Sequence, residues 1–366
     1  MRYNPPATRE LNSSPSPATP ALTIRALAAL AKLTPAAVSM ALRNHPRISE
    51  KTRQRVRELA RRHGYRPDPE ITKLMRHLRA QRSKRLQATI CALTDNATDE
   101  TYAANMLAAA RARAAASGFA LDVLRFDSPG NPGADPRQGA RLERILLSRG
   151  IEGLLLLPMS GAVALDGLLD WGKFAVVAAT YSVSAPQFHR VVPNHFGNLV
   201  MACAELTRRH YLRLGVVLPE AYDARVRHYF NAAITWHNSQ AGANAIPPLT
   251  HGADDAGNLA RWLKQHRPQA VICHYTTPIQ AAARAAGMTL PRAFPVVNFH
   301  APQKKIFAGI DEKETRIGET AVDMLSGMIL RGEKGLPQTP TVTMLEGGWI
   351  DSPSLRPRPA RARAEK

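Results

Sequence analysis

The sequence predicts an α/β chain in two parts: a small all-helical head and a larger core of parallel, doubly wound sheets. Three observations carry this expectation. Between residues 23 and 67, apolar positions recur at helical spacing in three short segments. From residue 88, continuous apolar runs alternate with Ala-rich helical stretches, the pattern of strands covered by helices on both faces. The charge is also unevenly divided: residues 1–85 hold 19 Lys and Arg against 5 Asp and Glu, which is 14 of the formal net charge of +20. A chain of 366 residues is long for one core and fits a large unit with a smaller one attached.

In the head, Thr23 is placed to cap a helix whose Ile24, Leu27, Ala28 and Ala31 form one stripe. Lys32, Leu33 and Thr34 make a turn. Thr34 then caps a second helix with Pro35 at its first position, Val38 and Leu42 on its buried face, and Pro35, Ala36, Ala37, Ser39, Met40 and Arg43 outward. A third helix opens near Ser49, buries Val56, Leu59 and Ala60, and stops at Gly64 with Pro67 after it. Two helices joined by a short turn and closed by a third make a helix-turn-helix head, residues 23–67, whose second helix fits a major groove. The local basic excess agrees with a polyanion-binding module on a nearly neutral body; a basic disordered tail is the plainer alternative.

Residues 1–22, rich in Pro, Ser and Thr and without an apolar core, are expected to be a disordered lead rather than a signal peptide. No run of about 18 apolar residues marks a membrane span. Cys91, Cys203 and Cys273 are far apart in apolar surroundings, as buried cysteines of a reducing compartment would be.

The segment "TIRALAALAKLTPAAVSMALRNHPRISEKTRQRVRELARRHGYRPD" resembles the DNA-binding head of the lactose/galactose repressor (LacI/GalR) family of bacterial transcription regulators. The matching positions are Thr23, Ile24, Ala28, Ala31, Val38, Ser39, Leu42, Ser49, Thr52, Arg55, Val56, Ala60, Gly64, Tyr65 and Pro67. Three departures stand out: Ala26 replaces an acidic residue, Lys32 a turn glycine, and Met40 a base-reading arginine. The outward face from 35 to 42 therefore lacks Arg, Lys, Asn and Gln, the bidentate readers of guanine and adenine. Ala36 and Met40 remain for thymine methyl groups, and Ser39 for a base edge or phosphate. Phosphate contacts are expected from Arg25, Lys32, Arg43, Arg47, Lys51 and Arg53. Thr23, Thr34, Pro35, Ala37 and Tyr65 complete the expected DNA-facing set on the head. The resemblance also implies a hinge helix within residues 68–87, with Leu74 as a minor-groove wedge. Leu74 and Leu78, one turn apart, equally suit a dimer-contact stripe.

Strand candidates in the core are 88–93, 119–126, 151–158, 174–180, 213–219, 270–275, 295–299 and 307–310. Helical stretches run at 103–116, 197–209 and 320–331. The resemblance continues through "VVPNHFGNLVMACAELTRRHYLRLGVV" and "GIDEKETRIGETAVDML". It implies a two-lobed, type I periplasmic-binding-protein-like core over 88–350, with an effector between the lobes. Lobe one is expected at about 88–190 and 303–328, lobe two at about 191–302 and 329–350, with a basic tail at 351–366. Arg225 falls where the family places a cleft arginine, with Arg227 its rival. Candidate effector residues are Asn96, Tyr181, Asn194, Arg225, Trp236, Tyr275, Thr276 and His300. Thr276 and His300 stand where the family has aspartates, which argues against a simple monosaccharide.

No phosphate loop, nucleophile elbow or metal-ligand spacing points to an enzyme, and no cofactor is expected. Asp254 and Asp255 read as a helix cap. The resemblance implies a cytoplasmic repressor that binds a palindromic double-stranded operator as a homodimer and answers to a small polar effector, a sugar or sugar derivative. A solute-binding protein with the same core but without gene control is the competing class.

Overall fold

The computed structural model describes residues 23–42, 44–45, 48–63, 65, 88–96, 100–128, 135, 137–251, 256–300 and 307–356. The chain divides into two compact units that meet at residues 81 and 82.

The head contains α1 (Ile24–Ala31), α2 (Pro35–Leu42) and α3 (Glu50–Arg62). Each begins at a hydroxyl cap. Thr23 Oγ1 accepts the Ala26 N–H at 3.2 Å, Thr34 Oγ1 that of Ala37 at 3.2 Å, and Ser49 Oγ that of Thr52 at 3.4 Å. Each also ends by returning a backbone N–H five residues back: Leu33 to Ala28, His45 to Met40 and Tyr65 to Ala60, at 2.9–3.0 Å. Such endings need a left-handed residue. Lys32 (φ 51°) supplies it after α1, and Asn44 (φ 59°) supplies it after α2.

Leu27, Ala28, Ala31, Val38, Ala41, Val56 and Ala60 form the head's buried cluster, ringed by Ile24, Leu33, Leu42, Ile48, Leu59 and Tyr65. Leu42 and Leu59, expected inside, are half-buried. The i+3 spacing from Val38 brings Ala41 to the centre, where its small side chain lets α2 approach closely. In so small a core, truncating the fully buried Leu27 to Ala should cost about 2–5 kcal/mol.

In chain order the core runs β1 (Ala88–Asp95), α4 (Glu100–Ala116), β2 (Phe119–Phe126), α5 (Gln138–Ser148), β3 (Gly153–Leu156), β4 (Val163–Ala164), β5 (Ala175–Ala178), β6 (Val183–Ala185) and β7 (His189–Pro193). It continues with α6 (His195–Thr207), β8 (Leu214–Pro219), α7 (Glu220–Arg225), α8 (Tyr229–Ala241), β9 (Leu249–His251), α9 (Ala256–His266), β10 (Ala270–Cys273) and α10 (Thr276–Ala285). The last elements are β11 (Val296–Asn298), β12 (Ala308–Asp311), α11 (Glu314–Arg331), β13 (Val342–Leu345) and β14 (Gly348–Ile350).

Two six-stranded sheets result, ordered β13-β7-β5-β3-β1-β2 and β14-β12-β11-β10-β8-β9. All pairings within them are parallel except β12 with β14. The first sheet packs α4 and α11 on one face, through Met106, Ala110, Ile317, Val322 and Leu325, and Leu142, Leu146, Trp171 and Phe188 on the other. The second packs α6 and α8 on one face and α9 and α10 on the other. A Cβ at Gly318 would lie 2.4 Å from the Met106 carbonyl oxygen, so glycine there permits the close approach of α11 to α4.

The chain crosses between lobes at Asn194, at Glu312 and between β13 and β14. The lobe limits differ from the expected ones accordingly: β7 at 189–193 and β13 at 342–345 join lobe one, and β12 at 308–311 joins lobe two. An apolar run identifies a strand but not its sheet, which is fixed only by pairing. Cys91, Cys203 and Cys273 are buried free thiols, each pushed above the ordinary thiol range by burial. The caps expected of Asp254 and Asp255, the lead at 1–22 and the hinge at 68–87 lie outside the described residues, as do residues 357–366 of the tail expected at 351–366. The tail's residues 351–356 pack on lobe two, with Leu355 in the buried cluster and Asp351 paired with Arg209.

A lysine at the left-handed position after α1 costs about 1 kcal/mol relative to glycine. Lys32→Gly is therefore expected to raise the protection of α1 and α2 amides by about that amount in hydrogen exchange on the full chain. Unchanged or lower protection would show that the lysine side chain compensates for its backbone.

Candidate DNA-binding surface and effector site

On the head, α2 presents Pro35 exposed and Ala37, Ser39 and Met40 half-buried, a short apolar strip with one hydroxyl. Arg25, Lys32 and Lys51 are exposed, and among the described residues none has an ion-pair partner. Arg53, expected at a phosphate, spends its guanidinium inside the head: it donates to the Asn44 carbonyl at 3.0 Å and pairs with Glu50 at 2.6 Å. It braces the loop between α2 and α3, as Arg55 braces the end of α1 by donating to the Ala31 carbonyl at 3.1 Å. Arg61 and Arg62 are tied to Glu58, whose carboxyl their hydrogen bonds lower to about 2. Thr23, Thr34 and Tyr65 serve the head's own caps and core. Arg43, Arg47, Leu74 and the side chain of Ala36 lie outside the described residues.

In the core, each sheet reverses its strand order once, next to β1 and β3 in lobe one and next to β8 and β10 in lobe two. Ligands of such sheets bind outside the carboxyl ends of the strands at these points. At the lobe-one point, the fully buried Asp95 accepts from Ser128 Oγ (2.9 Å), Ser160 N (3.0 Å) and Ser160 Oγ (2.6 Å), which fixes the loops after β1, β2 and β3. At the lobe-two point, Tyr222 stacks on His274 with centroids 3.9 Å apart. Tyr275 meets His274 edge-on at 4.3 Å, and the Arg225 guanidinium lies 4.8 Å from the Tyr222 ring centre.

Between the lobes lies a buried acid with imidazoles on either side. Glu312, between β12 and α11, has Oε1 3.1 Å from His195 Nδ1 and Oε2 3.6 Å from His300 Nδ1. Neither imidazole nitrogen is aligned as a hydrogen-bond donor, so these contacts are electrostatic rather than strongly directional. His300 in turn meets Tyr102 of lobe one edge-on at 4.7 Å, and His195 lies 5.8 Å from Tyr181. Tyr181 faces Tyr229 at 6.0 Å, with Arg227 at 5.6 Å from its ring. A chain of polar and aromatic contacts thus runs from Tyr102 through Glu312 to Tyr229 and joins the lobes.

Of the sequence-predicted effector residues, Tyr181, Arg225, Tyr275 and His300 come to these strand ends. Thr276 follows Tyr275 as the first residue of α10. Asn96 is at the end of β1 but gives its amide to Asp127 at 2.7 Å. Asn194 caps α6, accepting the Gly197 N–H at 2.9 Å, and donates to Glu346 at 2.9 Å; both ends of its amide are structural. Trp236 is 47 % exposed on α8, beside Phe196. Arg227 reaches across to lobe one, whereas Arg225 stays on Tyr222. Sequence reading missed Tyr102, Arg190, His195, Tyr222, His274 and Glu312. The signal available for His274 was its place near the end of the strand candidate 270–275, and for Glu312 its place just after the candidate 307–310.

Burial alone would raise the Glu312 carboxyl, but the two histidines outweigh it and hold the group at about 2. Burial likewise opposes charging of His300, and Glu312 reverses this, so His300 is raised above 6.5. Stability from His300 is fully present below 6.5 and is lost as pH rises through its raised value. His274, lowered to about 4 by burial, acts in the opposite sense and withdraws stability as pH falls from 6.5. Core stability should therefore fall on both sides of a maximum near neutrality. In Glu312→Gln the alkaline fall should vanish, with a loss of about 3 kcal/mol near pH 6, read by urea unfolding across pH. An unchanged alkaline limb would remove Glu312 from this role.

Residues 23–68 match the family described as bacterial regulatory proteins, lacI family. No curated protein matches the sequence. Among solved structures, the chain is similar to the transcriptional regulator CelR in complex with cellobiose, at 18 % identity and TM-score 0.54, over 91 % of this chain and 99 % of that one. It is similar to the lac repressor dimer bound to operator and the anti-inducer ONPF, at 15 % identity and TM-score 0.52, over 90 % and 98 %. It is also similar to the LacI-family transcriptional regulator CCPA of Weissella paramesenteroides with bound glucose, at 15 % identity and TM-score 0.52, over 73 % and 98 %. These likenesses establish the fold of the core, the two-lobed periplasmic-binding-protein-like arrangement of parallel sheets. Residues 23–68 thus form a lacI-family DNA-binding head, and a core of this fold follows it in sequence.

Proposed function

We propose that the protein is a cytoplasmic transcriptional repressor that binds a palindromic operator as a homodimer and is controlled by a small polar effector held between its lobes. The observation that carries this reading is the lacI-family helix-turn-helix, with capped helices and exposed Arg25, Lys32 and Lys51, joined to a two-lobed core. Two such heads related by a two-fold axis suit half-sites about one helical turn apart.

A sugar or sugar derivative is the favoured effector class. Relatives of the same fold were solved with cellobiose and with glucose, and the strand ends here offer the stacking rings and hydrogen-bonding groups that sugars use. We read the protein as a regulator without catalytic activity. A solute-binding role without gene control leaves the DNA-binding head unexplained. Effector and DNA would be coupled because each favours one arrangement of the lobes over another.

Because α2 lacks bidentate base readers, backbone contacts must supply much of the affinity. A gel shift on the DNA upstream of the protein's own coding sequence should show affinity falling about 10³-fold or more between about 50 and 200 mM salt, if six or more phosphates are neutralised. Failure to bind any such DNA at low salt would overturn the regulator reading. Leu74→Ala should weaken binding to that operator far more than to unrelated duplex if Leu74 is a groove wedge. Equal losses on both would return Leu74 to helix packing.

A further inference from the structure

Among the described residues the core buries two arginines, and it treats them differently. Arg209 has a carboxylate, Asp351, at 2.6 Å. Arg190, 2 % exposed, has none. It donates to the Thr180 carbonyl at 3.1 Å and to Gln187 Oε1 at 3.0 Å, and lies 5.8 Å from the Tyr181 ring centre. Arg227, from lobe two, donates to the same Gln187 oxygen at 3.1 Å and lies 5.6 Å from the same ring. Two guanidinium groups from opposite lobes thus converge on one neutral oxygen, and among the described residues neither has an ion-pair partner.

This arrangement leaves positive charge uncompensated where it is costly. A buried guanidinium without a carboxylate is expensive, and a second cation beside it adds repulsion. Burial, followed by Arg227, makes the Arg190 guanidinium easier to deprotonate than usual. Register places Arg190 beside Ala178, the last residue of β5, and its guanidinium reaches the Thr180 carbonyl just beyond the carboxyl end of that strand. Arg227 follows α7, at the carboxyl edge of the lobe-two sheet. Gln187 is exposed, its amide nitrogen donating to the Ser184 carbonyl at 2.5 Å, and Arg227 is exposed as well. A ligand can therefore reach this point and displace the glutamine oxygen.

We propose that Arg190 and Arg227 form an anion subsite spanning the two lobes, and that the effector carries a carboxylate or phosphate group bound there. The proposal rests on the reading of the interlobe region as the effector site. Charge-assisted bonds from two guanidinium groups replace two bonds to a neutral amide, and the anion ties one lobe to the other.

Isothermal calorimetry on the full chain tests it, with inorganic phosphate, acetate and neutral cellobiose at constant ionic strength in chloride. Phosphate or acetate should bind the native chain and bind at least about 10-fold more weakly to Arg227→Gln and Arg190→Gln. Arg227→Lys should retain part of the affinity. Phosphate alone would mark a phosphorylated ligand, acetate alone a carboxylate. Arg227 is exposed, so its glutamine variant gives a reading even if Arg190→Gln does not fold. No binding of either anion to the native chain, or equal binding by native and Arg227→Gln protein, overturns the proposal. Binding of cellobiose in that event would leave the interlobe effector reading intact.

Discussion

The seam between the two lobes is built around one buried carboxylate at a crossing of the chain. Glu312 is buried between β12 of lobe two and the long helix α11 that returns to lobe one. A charge in that position must be compensated, because an unpaired buried carboxylate would cost several kcal/mol. Its partners come from the first crossing, where His195 opens α6, and from the loop after β11, which supplies His300. These residues are more than a hundred positions apart in sequence at the extremes, and only the folded crossings bring them together. His195 and His300 both belong to lobe two, so the contacts that cross to lobe one from this group are Tyr102 on His300 and Tyr181 near His195.

Around that centre the seam is aromatic. Tyr102, Tyr181, Tyr222 and Tyr229 surround the histidines, and His274 stacks on Tyr222 with its Nδ1 buried and without a hydrogen-bond partner. Flat rings tolerate small relative displacements because stacking and edge contacts have broad minima. The charged centre fixes position more tightly than the rings do. Directional contact across the seam is added at its rim by Arg227 on Gln187.

The head was legible almost completely. Thr23, the Thr34–Pro35 pair and Ser49 announce helix starts by chemistry that acts within three residues, and the apolar stripe follows from helical spacing. The core strands β1, β2, β3, β5, β8, β10, β11 and β12 were legible for the same local reason, whereas β4, β6, β7, β9, β13 and β14 were not among the candidates. What failed was whatever depends on distant pairing. The run at 308–311 reads as a strand but says nothing of its sheet, so β12 was expected in lobe one and pairs in lobe two. Asn194, named as a candidate effector residue in the segment that resembles the family, has both ends of its amide engaged, by the α6 cap and by Glu346. Trp236, named as a candidate effector residue, is exposed with Phe196 as its ring neighbour. Glu312 was passed over because its place just after a strand candidate does not by itself distinguish an acid that will be buried at a lobe crossing from one that caps a helix.

The energetics of the seam match what a regulated lobe movement requires. A coupling of about 1–3 kcal/mol changes affinity about 5- to 150-fold, and a hydrogen bond to a charged group contributes about 1.5–3 kcal/mol. One interlobe contact of the Arg227–Gln187 kind, made in one arrangement and absent from the other, is therefore enough to bias the equilibrium. Contacts confined to one lobe, such as Asp95 with Ser128 and Ser160, add stability without distinguishing arrangements. Regulation through this core must accordingly act on groups that touch both lobes, and in this chain those groups gather at Glu312, Tyr181 and the rim formed by Arg190, Gln187 and Arg227.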